Sequence, residues 1–254
     1  MQFSRAIVRE PGPSLICGIT TANLGPPDFQ LALKQHQAYV RALIECGLEV
    51  ITLPPDDDHP DSTFVEDTAL LTPHCAIIMR PGAPTRRGEI VGMEDVIRRF
   101  FRTVERVEAP GTADAGDILM VESHYYIGLS QRTNPAGAAQ IIRILESHGM
   151  TGSTVPLEQV LHLKSGVAFL EGNIMVAAGE FKARPEFRAF NLIPVDDEEM
   201  YAANCLWVNG TVLVAAGYPK TGQAIREAGL KTMVLDVSEF RKLDGGLSCL
   251  SLRF

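Results

Sequence analysis

The sequence has few cysteines, and their spacing matches neither a disulfide framework nor a thiolate zinc site. The five form an odd set without a CxxC pair: Cys17, Cys46, Cys75, Cys205 and Cys249. Disulfide-stapled proteins carry even sets of cysteines, and structural zinc sites group them in closely spaced pairs. Because free thiols persist in reducing compartments, we expect a cytoplasmic protein.

Long apolar runs and an excess of basic residues are also missing. No apolar run reaches the roughly 18 to 20 residues that cross a bilayer, and the opening MQFSRAIVRE lacks the apolar centre of a signal peptide. Acidic residues outnumber basic ones by 31 to 23, which gives a formal net charge of −8. We therefore expect neither a membrane nor a nucleic acid as a partner, whereas a small cationic ligand is compatible with this charge.

The common cofactor and hydrolase motifs are absent as well. The sequence contains no GxGxxG, GxxxxGK[ST], HExxH or GxSxG pattern. Nucleotide binding and the usual zinc-hydrolase chemistry therefore lose support, and we expect neither a metal nor an organic cofactor.

The sequence does contain a recurring pair of short apolar strands separated by a polar turn. The pattern occurs in EDTALLTPHCAIIMRPG, in GDILMVESHYYIGLSQRTN and in NCLWVNGTVLVAAGYP, the last with the hairpin dipeptide Asn209-Gly210. NIMVAAGE predicts a single strand, FSRAIV a first strand, and DGGLSCLSLRF a closing segment with a strand-like pattern. Helical spacing lies between these units, over DFQLALKQHQAYVRALIECG and PAGAAQIIRILESHG and more briefly over MEDVIRRFF and TGQAIREAG.

Strand pairs that alternate with helices predict an α/β protein. The pattern fits repeated modules around an axis, and it also fits an ordinary α/β sandwich. Since no linker divides the 254 residues, we expect a single domain spanning 1–254.

Three acidic residues crowd the segment PDSTFVEDTALL, namely Asp61, Glu66 and Asp67. A solvated loop would explain them. The functional alternative is a binding site for a planar cation, because guanidinium N–H groups are accepted by carboxylates in pairs and a buried cation requires nearby negative charge.

A histidine, a loop carboxylate and a thiol complete a possible catalytic set. His162 lies between two leucines in VLHLKSG, and Asp114 lies with Asp117 in the turn of APGTADAGDILM. Core packing would explain the first and turn chemistry the second, but a rigidly held histidine oriented by a carboxylate is also a general acid and base. Cys249 in DGGLSCLSLRF is either an apolar filler or the nucleophile that such a histidine serves.

Six motifs of the chain together resemble dimethylarginine dimethylaminohydrolases, a family of the guanidine-modifying superfamily. They are FVEDTALL, APGTADAGDILM, GLSQRTN, LHLKSG, AANCLWVN and DGGLSCLSLRF, and they occur in the family's order along the whole chain. The resemblance implies a five-bladed α/β propeller of ββαβ-like modules with the active site on its axis. It also implies a cationic amino acid as substrate, and bacterial relatives suggest a homodimer.

The resemblance also assigns the reacting end of the site. Cys249 matches the nucleophile, His162 the general acid and base, and Asp114 the carboxylate that partners the histidine. Glu66 and Asp67 match the residues that bind the guanidinium group.

Five further positions match the part of the site that holds the amino acid end of the substrate. Asp61 matches a ligand of that end, and Arg86 and Arg132 match the pair that binds the α-carboxylate. Ile19 falls in a lid loop, and Leu243 falls where a backbone carbonyl meets the substrate.

The implied reaction is hydrolysis of Nω-methylated arginine to citrulline through a covalent S-alkylthiouronium adduct of the cysteine. A deiminase acting on arginine or another substituted guanidine is the nearest alternative, and a non-catalytic arginine-binding relative is another. The intact set of reactive residues argues against the binder. Arginine deiminases are generally longer than this chain, and the arginines that match a carboxylate site argue against a substrate without a carboxylate.

Overall fold

The computed structural model describes residues 2–254. Its strands are β1 Arg5–Arg9, β2 Glu49–Leu53, β3 Ala69–Leu71, β4 Ala76–Ile78, β5 Val104–Arg106, β6 Ile118–Val121, β7 His124–Leu129, β8 Thr151–Pro156, β9 Val167–Phe169, β10 Ile174–Ala177, β11 Asn191–Pro194, β12 Leu206–Val208, β13 Thr211–Ala215, β14 Lys231–Leu235 and β15 Leu252–Arg253. Its α-helices are α1 Phe29–Glu45, α2 Ile90–Ile97, α3 Pro135–Ser147, α4 Pro219–Glu227 and α5 Ser238–Arg241.

The strands form five three-stranded sheets of one design. In each sheet the central strand pairs antiparallel with one neighbour and parallel with the other, as β4 does with β3 and β5. A parallel neighbour requires a crossover connection. Helices α1, α2, α3 and α4 supply it in four sheets, whereas two short 3₁₀ turns, Gly179–Ala183 and Pro185–Phe187, supply it between β10 and β11.

The hydrophobic core shows that the sheets follow one another in a closed ring. Alternating residues of a strand point to opposite faces, and in β1 Ile7 packs against β3 and β4 while Ala6 and Val8 pack against β12, β13 and β14. Three further clusters join the second sheet to the third, the third to the fourth and the fourth to the fifth. Each sheet thus shares its two faces with two neighbours, which confirms the predicted five-module α/β propeller.

Local sequence signals explain most of these elements. Asp28 caps α1 by accepting a hydrogen bond from the Leu31 N–H, and Asn134 caps α3 in the same way from Gly137. The hairpin dipeptide lies where predicted, with Asn209 and Gly210 both at positive φ. Helix α2 differs, since it begins at Ile90 and ends before the phenylalanines of MEDVIRRFF.

The strand-like pattern around Cys249 was the least accurate prediction. The thiol lies in a 3₁₀ turn, Ser248–Leu250, and the strand that follows comprises only β15. Within residues 2–254, no helix combines the length and apolar character that crossing a bilayer requires.

Candidate active site

The loop that carries Cys249 is held by close backbone packing. A Cβ atom on Gly245 would lie 2.2 Å from the Phe64 ring, and one on Gly246 would lie 2.6 Å from the side-chain amide of Asn204. Only glycine allows such approach. Tyr39 Oη donates to the Leu247 carbonyl at 2.9 Å, so the turn before the thiol is fixed from several sides.

His162 and Asp114 form a buried pair. The imidazole Nε2 lies 3.1 Å from Asp114 Oδ2, and the other carboxylate oxygen accepts the Gly82 N–H at 2.8 Å. Asp117 holds the chain beside the histidine, because its Oδ1 accepts the Leu163 N–H at 3.0 Å. The ring is therefore oriented by its own carboxylate and by the backbone that follows it.

The charges around the two reactive groups favour an imidazolium and a neutral thiol. Burial opposes the charged form of His162, but Asp67, Asp117 and Asp114 outweigh it and raise its pKa to about 9. Burial, with the carboxylates of Glu66 and Asp67, raises the pKa of the Cys249 thiol to about 12. At neutral pH the histidine is thus a proton donor, and the thiolate requires an added positive charge nearby.

Asp67 and Arg86 form a buried ion pair in the wall of a cleft that His162 and Cys249 also line. Arg86 Nη1 donates to Asp67 Oδ2 at 2.6 Å, and Nε and Nη2 bind both oxygens of Glu89 at 2.9 Å. Although burial acts in the opposite direction, His162 and Arg86 lower the pKa of Asp67 to about 2. Asp67 therefore stays ionised, and Arg86 is largely committed to carboxylates of the protein.

Arg132 differs from Arg86 in having an uncommitted guanidinium. Its side chain lines the same cleft, and within residues 2–254 only its backbone N–H makes a hydrogen bond, to Ser130 Oγ. Arg87 points elsewhere and donates from Nε to the Pro81 carbonyl. Arg132 is consequently the cation of the cleft most available to an anionic ligand.

A loop that contains residues 19–21, here called the closing loop, lies over the cleft and is held by hydrogen bonds to two other segments. The Ile19 N–H donates to both oxygens of Asp61, at 3.0 and 3.2 Å. Thr20 Oγ1 donates to the Lys242 carbonyl at 2.7 Å, and Thr21 N–H donates to Asp244 Oδ2 at 2.5 Å. The contacts of Thr20 and Thr21 lie at the surface, where they exchange readily for water.

Eight of the ten residues predicted from the resemblance line this one cleft. They are Ile19, Asp61, Asp67, Arg86, Arg132, His162, Leu243 and Cys249. The space is only about 30 Å³ in this closed form, which is room for one or two water molecules. Asp114 lies behind His162, fully buried.

Glu66 is the predicted residue that the structure places outside the cleft. Its carboxylate accepts Lys164 Nζ at 2.7 Å, Ser248 Oγ at 2.9 Å and Arg253 Nη2 at 3.1 Å. Sequence reasoning assigned no part to these three partners. The sequence shows Lys164 and Arg253 only as two cationic residues in apolar surroundings. Nothing in their spacing links them to Glu66.

One group of side chains has the spacing of a metal site. Potential ligand atoms of Asp67, Asp114 and His162 lie within 4.8 Å of one another. All four carboxylate oxygens already accept hydrogen bonds, from Arg86, Gly116, Gly82 and the imidazole. The cluster is therefore accounted for by charge pairing with the imidazolium.

Fold and site together define a protein of the guanidine-modifying class, an α/β propeller with a cysteine, a histidine and carboxylates in one cleft. No family model matches the chain, but curated and solved relatives do. The chain is 55% identical over 253 residues to N(G),N(G)-dimethylarginine dimethylaminohydrolase of Pseudomonas aeruginosa, covering 99% of this chain and 100% of the relative. The chain therefore belongs to the dimethylarginine dimethylaminohydrolase family.

Solved structures agree with that assignment. The Pseudomonas aeruginosa enzyme, as a cysteine-to-serine variant complexed with citrulline, is 54% identical and superposes with a TM-score of 0.99 over 100% of both chains. A dimethylarginine dimethylaminohydrolase adduct with S-methyl-L-thiocitrulline is also 54% identical, with a TM-score of 0.98 over 100% of both chains. The family and the fold expected from the six motifs are thus confirmed.

Proposed function

We propose that this protein hydrolyses Nω-methylated L-arginine to L-citrulline and dimethylamine or methylamine. The observation that carries the proposal is one closed cleft containing a thiol, a paired imidazolium, two carboxylates and an uncommitted arginine. The relative that shares 55% of its residues bears this activity in its name, and relatives have been solved with citrulline and with a thiocitrulline adduct.

The charges of the cleft match the two ends of such a substrate. Asp67 is the guanidinium ligand, because it is ionised and each of its oxygens can accept a second hydrogen bond. Arg132 binds the α-carboxylate, assisted by the one N–H of Arg86 Nη1 that is not engaged with Asp67. Asp61 and the Leu243 carbonyl accept from the amino acid end, and Ile19 covers it.

The substrate helps to generate its own nucleophile. A guanidinium next to Cys249 offsets the negative charge of Glu66 and Asp67 that disfavours the thiolate. The thiol releases its proton to solvent when the cation binds, and the sulfur then attacks the guanidinium carbon. Attack on a resonance-stabilised cation is slow, so alignment by the carboxylates supplies part of the rate.

His162 transfers protons in both halves of the reaction. As imidazolium it donates to the methylated nitrogen while the carbon–nitrogen bond breaks, which releases the amine and leaves an S-alkylthiouronium adduct. The neutral imidazole then takes a proton from water, whose oxygen attacks the same carbon. Cleavage of the carbon–sulfur bond returns the thiolate, and the proton lost by the new carbonyl group is taken by the released amine.

Glu66 has an indirect part in this scheme. Because its carboxylate is bound by Lys164, Ser248 and Arg253, we assign it to support of the turn that holds the nucleophile rather than to the guanidinium itself.

Replacement of the nucleophile tests the covalent mechanism. Cys249→Ser is expected to abolish citrulline release from asymmetric dimethylarginine while substrate still binds, measured by calorimetry. Cys205→Ser is the matched control, since Cys205 is a buried thiol outside the cleft. Turnover that survives in the Cys249 variant would contradict the proposal.

A second assay separates this enzyme from a deiminase. Citrulline formation is measured with asymmetric dimethylarginine, monomethylarginine and unmodified arginine at matched concentrations. We expect the methylated substrates to react faster, and faster turnover of arginine would assign the protein to the deiminases instead.

We also propose that residues 1–254 act as one catalytic unit in the cytoplasm, without a metal or organic cofactor. All five cysteines are free thiols, which fits a reducing compartment.

A further inference from the structure

A second and much larger cavity lies behind the nucleophile. It has a volume of about 630 Å³, within the range of small-molecule sites. Glu66 and Ser248 line it, whereas their chain neighbours Asp67 and Cys249 line the active-site cleft. The two spaces are therefore separated by a single layer of residues.

The floor of this cavity is cationic. Lys164 and Arg253 both bind Glu66, so three charges sum to one positive charge. The side chains of Lys164 and Arg253 are 14% and 12% exposed, whereas that of Glu66 is 4% exposed. All three side chains line the cavity, and the two cations are more exposed than the carboxylate.

The two cations also have hydrogen-bond donors to spare. Lys164 Nζ makes one ion pair, to Glu66, and so retains two N–H groups. Arg253 uses Nη1 on Ser248 and Ser251 and one N–H of Nη2 on Glu66. Its Nε–H and the second N–H of Nη2 have no acceptor within residues 2–254. Four donors therefore remain for an acceptor that the described part of the chain does not supply.

The walls above this floor are mainly apolar. They comprise Leu70, Leu71, Met120, Val167, Leu170, Leu206 and Trp207. Glu122 and Glu171 stand at the rim, on exposed hairpin turns, where solvent and salt screen their charge. An occupant thus meets apolar surface along its length and positive charge at its inner end.

We propose that this cavity is a second ligand site, for a small organic carboxylate with an aromatic or aliphatic body. The carboxylate binds the free N–H groups of Lys164 and Arg253, and the body packs on the apolar walls. Charge-assisted hydrogen bonds to a partly buried anion supply the specificity. The proposal concerns binding alone and does not depend on the reaction proposed above.

Calorimetric titration of the wild-type protein with benzoate tests the site, with benzamide as the uncharged match. We expect benzoate to bind and benzamide to bind at least about tenfold more weakly, since each charge-assisted hydrogen bond contributes roughly 1.5–3 kcal/mol. Equal binding of the two compounds, or no binding of benzoate at about 10 mM, would overturn the proposal.

Three variants locate the bound benzoate. Lys164→Met removes one cation and is expected to weaken benzoate binding at least about tenfold. Met120→Trp adds a bulky ring to the apolar wall without touching the ion cluster, and it is expected to change the affinity for benzoate. Arg132→Ala removes the free cation of the active-site cleft and is expected to leave the affinity unchanged. Affinity that persists in Met120→Trp but is lost in Arg132→Ala would place benzoate in the cleft and refute the second site, even if Lys164→Met fails to fold.

Discussion

Asn204 binds both polar groups of Ser248. Its Oδ1 accepts the Ser248 N–H at 2.9 Å, and its Nδ2 donates to Ser248 Oγ at 3.1 Å. The other N–H of the same amide donates to the Lys164 carbonyl at 3.0 Å. A single buried side chain therefore joins the residue before Cys249 to the turn that follows His162, and it fixes the distance between nucleophile and acid.

Asn204→Ala is expected to lower kcat far more than it raises KM. Loss of the amide frees both turns, and a displacement of about 1 Å at a reacting atom can cost roughly a hundredfold in rate. Steady-state kinetics with asymmetric dimethylarginine measure the split between kcat and KM.

Asn209 provides a matched control for Asn204. Its side chain also makes three hydrogen bonds, all of them to the backbone of Phe3 and Cys46, but it is remote from the cleft. Asn209→Ala should lower the thermal midpoint and leave kcat unchanged. An equal loss of kcat in both variants would show that Asn204 acts only through stability.

The pH dependence of kcat/KM should have an alkaline limb near pH 9. His162 must be protonated to release the amine, and its pKa in the free enzyme is raised to about 9. Asp114→Asn removes one of the carboxylates responsible, so the limb should move to lower pH. An unchanged limb in that variant would exclude His162 as the titrating acid.

The closing loop can be loosened at Asp244 without backbone strain. Asp244 has a φ of 57°, which glycine adopts freely, so Asp244→Gly removes only the carboxylate that binds Thr21. We expect KM to rise about three- to tenfold, as for the loss of one or two exposed hydrogen bonds, with little change in kcat. Asp244→Ala, which adds backbone strain, should additionally lower the thermal midpoint.

His36 should make the protein sensitive to acid. It is buried in α1, its Nε2 has no partner within residues 2–254, and burial lowers its pKa to about 4. The unfolded chain binds the proton more tightly, so the stabilising effect of neutral His36 is present above pH 6.5 and is lost as the pH falls toward 4.

His36→Leu should remove that acid sensitivity. Between pH 8 and pH 4 the free energy of unfolding, measured with urea, should fall in the wild type by up to about 3 kcal/mol more than in the variant. Exposed His74→Leu is the control, and it should follow the wild-type curve.

Local patterns predicted most of the secondary structure, because caps, hairpin dipeptides and apolar spacing act over a few residues. Glu66 shows where such patterns end. It adjoins Asp67 in sequence and appeared equivalent to it, but both residues lie in a 3₁₀ turn, Val65–Thr68, in which consecutive side chains point about 120° apart. One carboxylate consequently enters the cleft and the other meets Lys164 and Arg253. The contacts of Asn204, to residues 40 and 44 positions away, likewise have no trace in local spacing.

The pairing of β1 with β15 carries a kinetic consequence. Ala6 lies opposite Arg253, so this sheet joins segments of very large sequence separation, and bringing such segments together is slow. Cys249 lies three residues before β15 and gains its surroundings only when that contact forms. During refolding from urea, Cys249 should therefore remain accessible to a thiol-alkylating pulse until after the other modules have assembled. Loss of its labelling would then report the final folding step.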